Sequence, residues 1–191
     1  MDLFSKQILS ELFPEETIPL AATARKVKQQ PPEHPDHWSS PVLLERAAYL
    51  RQLARHGDGS ASETLREYPQ HCAMLLVRSR DGGAEAHENF ADLFFVLEGR
   101  ATLVTGGTVA GAVTVAPGEI RGTSVEGGAR QPLRAGDVAH VPAGMPHQML
   151  VSGEQTIACL VLKVIGIGGA VTCSPLPHHR TSGSASGGSR S

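Results

Sequence analysis

From about residue 72 to residue 164 the apolar positions fall into short runs rich in Val, Leu and Phe, alternating with period two and punctuated by glycine-containing turns. Side chains two apart share a face of an extended chain, so this periodicity describes strands rather than helices. Strands are expected near 72–78, 84–89, 92–98, 100–105, 137–142, 147–152 and 156–164. No helical stretch separates them, and a parallel sheet needs crossover connections, so the expected class is all-β: an antiparallel sandwich or small barrel. The glycine-rich stretch 106–132 has little periodicity and is expected to be a long excursion, with an added hairpin around Ile120 to Ser124. In the run 92–98, Asp92, Phe94 and Val96 share one face while Leu93, Phe95 and Leu97 line the other. A strand apolar on both faces is expected between the interior and an outer layer, either a helix or a second subunit.

Ahead of the strands the period changes. Ser40 is suited to cap a helix with Pro41 at its first position. Leu43, Ala47, Leu50 and Ala54 form its apolar stripe, Arg51 and Arg55 come late, and Gly57 ends it. A helix over 41–55 is expected, within a segment 40–57 that packs on the strands. Residues 1–39 read as an arm: Phe4, Ile8 and Leu12 stripe a short helix over 3–13, stopped by Pro14, before a polar, proline-interrupted linker over 21–39. The barrel is expected over 70–166 and a flexible tail over 175–191, where Gly and Ser dominate and apolar groups are too few to offset ordering entropy.

A chain of 191 residues suits one core with extra arms. Lys and Arg number 17 against 19 Asp and Glu, for a net charge of −2, so no positive field draws phosphate backbones and nucleic acid is not an expected partner. No apolar run approaches the roughly 18 residues that span a bilayer, so no membrane partner is expected. Cys72, Cys159 and Cys173 are unpaired in spacing and read as small buried hydrophobes, and the N-terminus shows no apolar leader core. A reducing, cytoplasmic setting is the expectation.

Two stretches stand out for chemistry. In residues 136–149, GDVAHVPAGMPHQM, Gly136-Asp137 closes a turn, a short strand follows, Pro142-Ala143-Gly144 makes a tight turn, and His147 emerges just after it. Pro146 fixes the neighbouring backbone as extended, so the imidazole projects from a set position. In residues 82–99, GGAEAHENFADLFFVLEG, His87 and Asn89 are two apart and share a strand face, and Asp92 opens the next strand. Together these stretches resemble the cupin family, whose motifs read roughly G-x5-H-x-H-x3,4-E-x6-G and G-x5-P-x-G-x2-H-x3-N. The second is matched through Gly136, Pro142, Gly144 and His147, with Val151 at the final Asn position. For the first, His87 and Gly99 fit, Asn89 takes the second His position and Asp92 the Glu position, with a gap between 89 and 92 shorter than the family's.

The resemblance covers about residues 70–165 and implies a cupin-type, jelly-roll-like antiparallel β-barrel with an N-terminal helical extension. It implies a divalent metal ion held inside by His87, Asp92 and His147, with Asn89 as a weak fourth ligand. It also implies pairing into a homodimer. Two imidazoles and one carboxylate form the facial set associated with Fe(II), which is favoured, while Mn, Ni, Co and Zn accept similar donors. The expected role is an enzyme acting on a small polar organic molecule by oxygenase, isomerase or lyase chemistry. The alternatives are a barrel that binds a small molecule without metal, and one packed solid for a structural role.

Other residues carry weaker expectations. His140 shares a strand face with Val138 and is a candidate acid or base if that face lines the cavity. Glu88 points away from His87 if the strand is regular and reads as a solvated carboxylate, with the second ligand position as its alternative to Asn89; Gln148 is expected to face away from His147. Glu119, Arg121 and Glu126 stand among glycines in 116–128, in a solvated loop or in one that reaches over the barrel mouth and brings Arg121 to an anionic substrate.

Overall fold

A computed structural model describes residues 35–166 of the chain. The expected helix over 3–13, most of the linker, the tail and Cys173 lie outside the described residues.

Helix α1 spans Ser40–His56 and buries Leu43, Ala47, Leu50 and Ala54, the stripe its sequence carries. Its cap is Ser39, one residue earlier than expected: Ser39 is extended, and its carbonyl accepts the first helical hydrogen bond from Leu43 N. Gly57 N closes the other end by donating to Leu53 O.

Twelve strands follow, all paired antiparallel: β1 Ser60–Glu67, β2 His71–Arg78, β3 Ala84–His87, β4 Phe90–Thr105, β5 Thr108–Ala110, β6 Val113–Ala116, β7 Glu119–Gly122, β8 Ser124–Glu126, β9 Ala129–Arg134, β10 Val138–Val141, β11 His147–Leu150 and β12 Ile157–Ile165. Among the described residues the architecture is therefore all-β and antiparallel, a curled jelly-roll-like sheet with α1 ahead of it. β4 is a single strand where two were expected, and it belongs to both halves of the sheet. Residues 90–99 pair with β12, residues 92–95 also pair with β10, and residues 100–105 pair with β11 and β9.

The strand changes halves around Gly99. Its φ is +80°, and a Cβ there would stand 1.9 Å from Thr156 O, so only glycine fits. Beside it Leu97 is an extra residue between the pairs Glu98–Ala158 and Val96–Cys159, a bulge that bends the strand. The stretch 106–132, expected as an excursion, is ordered into five short strands, β5 to β9.

Two apolar clusters hold these layers. Between the halves lie Phe94, Val96, Leu103, Leu133, Val141, Met149, Ile157, Cys159 and Val161. On the outer face Ala47, Leu50 and Ala54 of α1 pack on Leu75, Val77 and Ala158, with half-buried Leu97 beside them. The helix thus supplies cover for part of the outer face of β4. Cys159 is buried in the core, whereas Cys72 is only half-buried. No helix among the described residues is long and apolar enough to cross a membrane.

Candidate metal centre

Strand registry builds the site. On one half of the sheet Glu85 of β3 lies directly across from His147 of β11 on one side and Arg121 of β7 on the other, and His87 lies across from Glu119. On the other half Asp92 of β4 lies across from Lys163 of β12. Directly paired residues send their side chains to the same face, so both rows point into the space between the halves. The sequence forces this locally: Glu85 and His87 are two apart on β3, and Asp92 shares its face with the core residues Phe94 and Val96. The turn carrying Gly144, at φ +78°, is tied to β3 by Gly144 N donating to His87 O at 2.7 Å. That bond locks the two motif stretches together.

Glu85, His87, Asp92 and His147 each bring one ligand atom to a group whose members lie within 4.8 Å of one another. His87, Asp92 and His147 are 2–3% exposed. His87 Nδ1 faces Glu119 Oε2 at 2.7 Å, and His147 Nδ1 faces the carbonyl of Met145 at 3.1 Å. A carbonyl or carboxylate oxygen only accepts, so both Nδ1 atoms carry a proton, and in that tautomer of the neutral ring it is the Nε2 lone pair that faces the other ligand candidates.

His87 Nε2 is 3.4 Å from Asp92 Oδ2 and 3.8 Å from Glu85 Oε2; His147 Nε2 is 3.3 Å from Glu85 Oε1 and 3.6 Å from Asp92 Oδ2. Lone pairs therefore face lone pairs. His147 Nε2 is buried and has no hydrogen-bond partner. Such a convergence of acceptors calls for positive charge; the Lys163 ammonium reaches Asp92 and His87 Nε2 but leaves His147 Nε2 unmet, and the set of two imidazoles and two carboxylates fits a divalent ion.

Charge is arranged accordingly. Lys163 Nζ donates to Asp92 Oδ1 and Oδ2 at 2.9 and 3.0 Å, and Arg121 pairs with Glu85 and lies 3.5 Å from Glu119. Burial alone would raise the Asp92 pKa, and the Lys163 ammonium, hydrogen-bonded to both carboxylate oxygens, opposes that rise. Glu119, through His87 Nδ1, sets the tautomer and orientation of that ring in the way carboxylates do behind metal-bound histidines.

Of the residues singled out by sequence, His87, Asp92 and His147 come together, and Asn89 does not join them. Asn89 is exposed, and its amide packs over Gly118 in the β6–β7 turn. The acidic neighbour two residues from His87 is Glu85, on the N-terminal side. Counted from Glu85, the spacing Glu85-x-His87-x4-Asp92-x6-Gly99 fits the family's first motif without a short gap. The ring of His87 thus stands at the second His position.

His140 also stays apart: it lies across from Leu93, on the outer face, and lines an open groove with Arg100, Arg130 and Arg134. Glu88 is exposed. Gln148 faces away from His147, donating to Gly82 O and accepting from Val125 N. Arg121 does reach the site, from a strand rather than a loop. Glu85 and Lys163 went unrecognised, although period two was a signal for both: Lys163 extends the inward series Ile157, Cys159, Val161.

No protein-family model matches the chain, and no curated protein does. Among solved structures it is similar to a predicted oxalate decarboxylase from Thermotoga maritima, at 14% identity over 56% of this chain and 80% of that one, with a TM-score of 0.42. It is similar to a protein with a double-stranded β-helix domain from Klebsiella pneumoniae, at 17% identity over 58% and 80%, TM-score 0.42. A cupin superfamily protein from Desulfitobacterium hafniense gives 17% over 56% and 78%, TM-score 0.39. The chain's own strand pairing, with the two motif stretches side by side as β3 against β11 and β4 against β10, is that of a cupin-type fold.

Proposed function

We propose that this protein binds a divalent metal ion through Glu85, His87, Asp92 and His147 and is an enzyme acting on a small polar organic molecule. The observation that carries this reading is the buried, unpartnered Nε2 of His147, aimed with His87 Nε2 at two carboxylates. Two carboxylates balance the charge of a divalent ion, and mixed N and O donors suit Fe(II) or Mn(II). When bound, the ion supplies Lewis-acid polarisation of a substrate oxygen, chemistry shared by isomerase, lyase and oxygenase-type reactions at mononuclear centres.

The chain's own residues prepare the pocket. Glu119 and the Met145 carbonyl keep the protons of His87 and His147 on Nδ1, leaving both Nε2 atoms as ligands. Phe94, whose ring stands edge-on to His147, closes the inner side with the apolar core and excludes water there. Lys163 and Arg121, whose side chains are 26% and 46% exposed, link the buried cluster to solvent.

A second reading, a small-molecule binder that works without metal, is favoured by the Lys163 ammonium, which already neutralises Asp92. Metal analysis separates the two. Protein stripped with a chelator, incubated with Mn(II) or Fe(II) and desalted retains a stoichiometric ion, whereas His147→Ala does not. Equal retention by His147→Ala overturns the metal reading.

A further inference from the structure

Ile157, Cys159 and Val161 of β12 point into the core, and Lys163 is the next position on that face. A charged side chain is tolerated there only if it is paired. Asp92, directly across on β4, gives both its oxygens at 2.9 and 3.0 Å, and His87 Nε2 lies 3.1 Å from the same nitrogen. An ammonium has three donors and no acceptor. Here all three are met by atoms of two metal-ligand candidates, so the nitrogen draws on the same lone pairs that a metal ion would use.

An ion at roughly 2.0–2.3 Å takes the single Nε2 lone pair of His87 and the Asp92 oxygen that faces the imidazoles, which leaves the ammonium at most the outer oxygen, and it repels the positive charge beside it. The lysine has somewhere to go. Its side chain is 26% exposed, unlike the 2% of Asp92, and its flexible stem can carry the charge to solvent while β12 stays paired.

We propose that the Lys163 ammonium is the pocket's resident counter-cation, seated where a divalent ion binds, and that loading the ion requires its displacement. This rests on the metal-centre reading above. The lysine then lowers apparent metal affinity while keeping the empty pocket electrically compensated.

The test is Mn(II) and Zn(II) binding by titration calorimetry, with thermal unfolding followed in chelator and in excess metal, for the natural chain, Lys163→Met, Lys163→Gln, Lys163→Arg and His147→Ala. Lys163→Met and Lys163→Gln are expected to bind about tenfold or more tightly than the natural chain. They should unfold at a lower temperature in chelator, where Asp92 loses its partner, and gain more from metal than the natural chain does. Lys163→Arg, which keeps the charge, binds no more tightly. If Lys163→Gln binds metal equally or more weakly, the lysine is not a competitor and the proposal is overturned while the metal centre stands. If His147→Ala binds as the natural chain does, the metal-centre reading itself fails.

Discussion

Glu85 faces two side chains of opposite demand: Arg121 pairs with its carboxylate from β7, and His147 offers it only a lone pair from β11. A cation between Glu85 and His147 satisfies both. Replacing Glu85 with Gln removes a charged ligand and is expected to weaken divalent-ion binding by more than the roughly ten- to hundredfold that losing a supporting partner costs. Asn89→Ala, outside the group, is expected to leave affinity unchanged to within about twofold. Calorimetric titration of the two variants side by side checks both outcomes, and equal losses would restore Asn89 to the site. The residues His87, Asp92 and His147 were readable in sequence because each sits at a motif position with a fixed spacing. Glu85 was hidden by counting the motif forward from His87; the same alternation that puts it on the His87 face also allows the count to begin two residues earlier.

Strand β4 carries the architecture, because it is shared by both halves of the sheet and bends where Gly99 and the Leu97 bulge lie. Gly99→Ala forces a left-handed backbone on a residue with a Cβ and drives that carbon against Thr156 O. The expected cost is about 2 kcal/mol or more, seen as a lower unfolding midpoint in denaturant with an unchanged slope. No loss of stability would mean that the bend does not depend on glycine. The strong strands were legible because one face of each is buried and apolar. Strand β1 was not, since its sequence SASETLRE alternates half-buried with exposed polar residues at the end of the sheet path. Strands β5 to β8 escaped for a related reason: they are three or four residues long, have no fully buried residue, and are separated by glycine turns that read as loop.

Across the molecule, the pocket exists only because two halves of one curled sheet present complementary rows of side chains to each other. Glu85, His87 and His147 come from one half and Asp92 and Lys163 from the other. A bound ion would cross-link the halves, and periodicity alone does not reveal such a tie, because residues 87 and 147 meet only once the strands are in register. The most direct measurement is anomalous diffraction from crystals grown with Mn(II) or Zn(II). The account predicts one strong peak in the pocket, about 2.0–2.3 Å from Nε2 of both His87 and His147 and within coordination reach of the Asp92 and Glu85 carboxylates. A peak elsewhere with none between these side chains at saturating metal would contradict it.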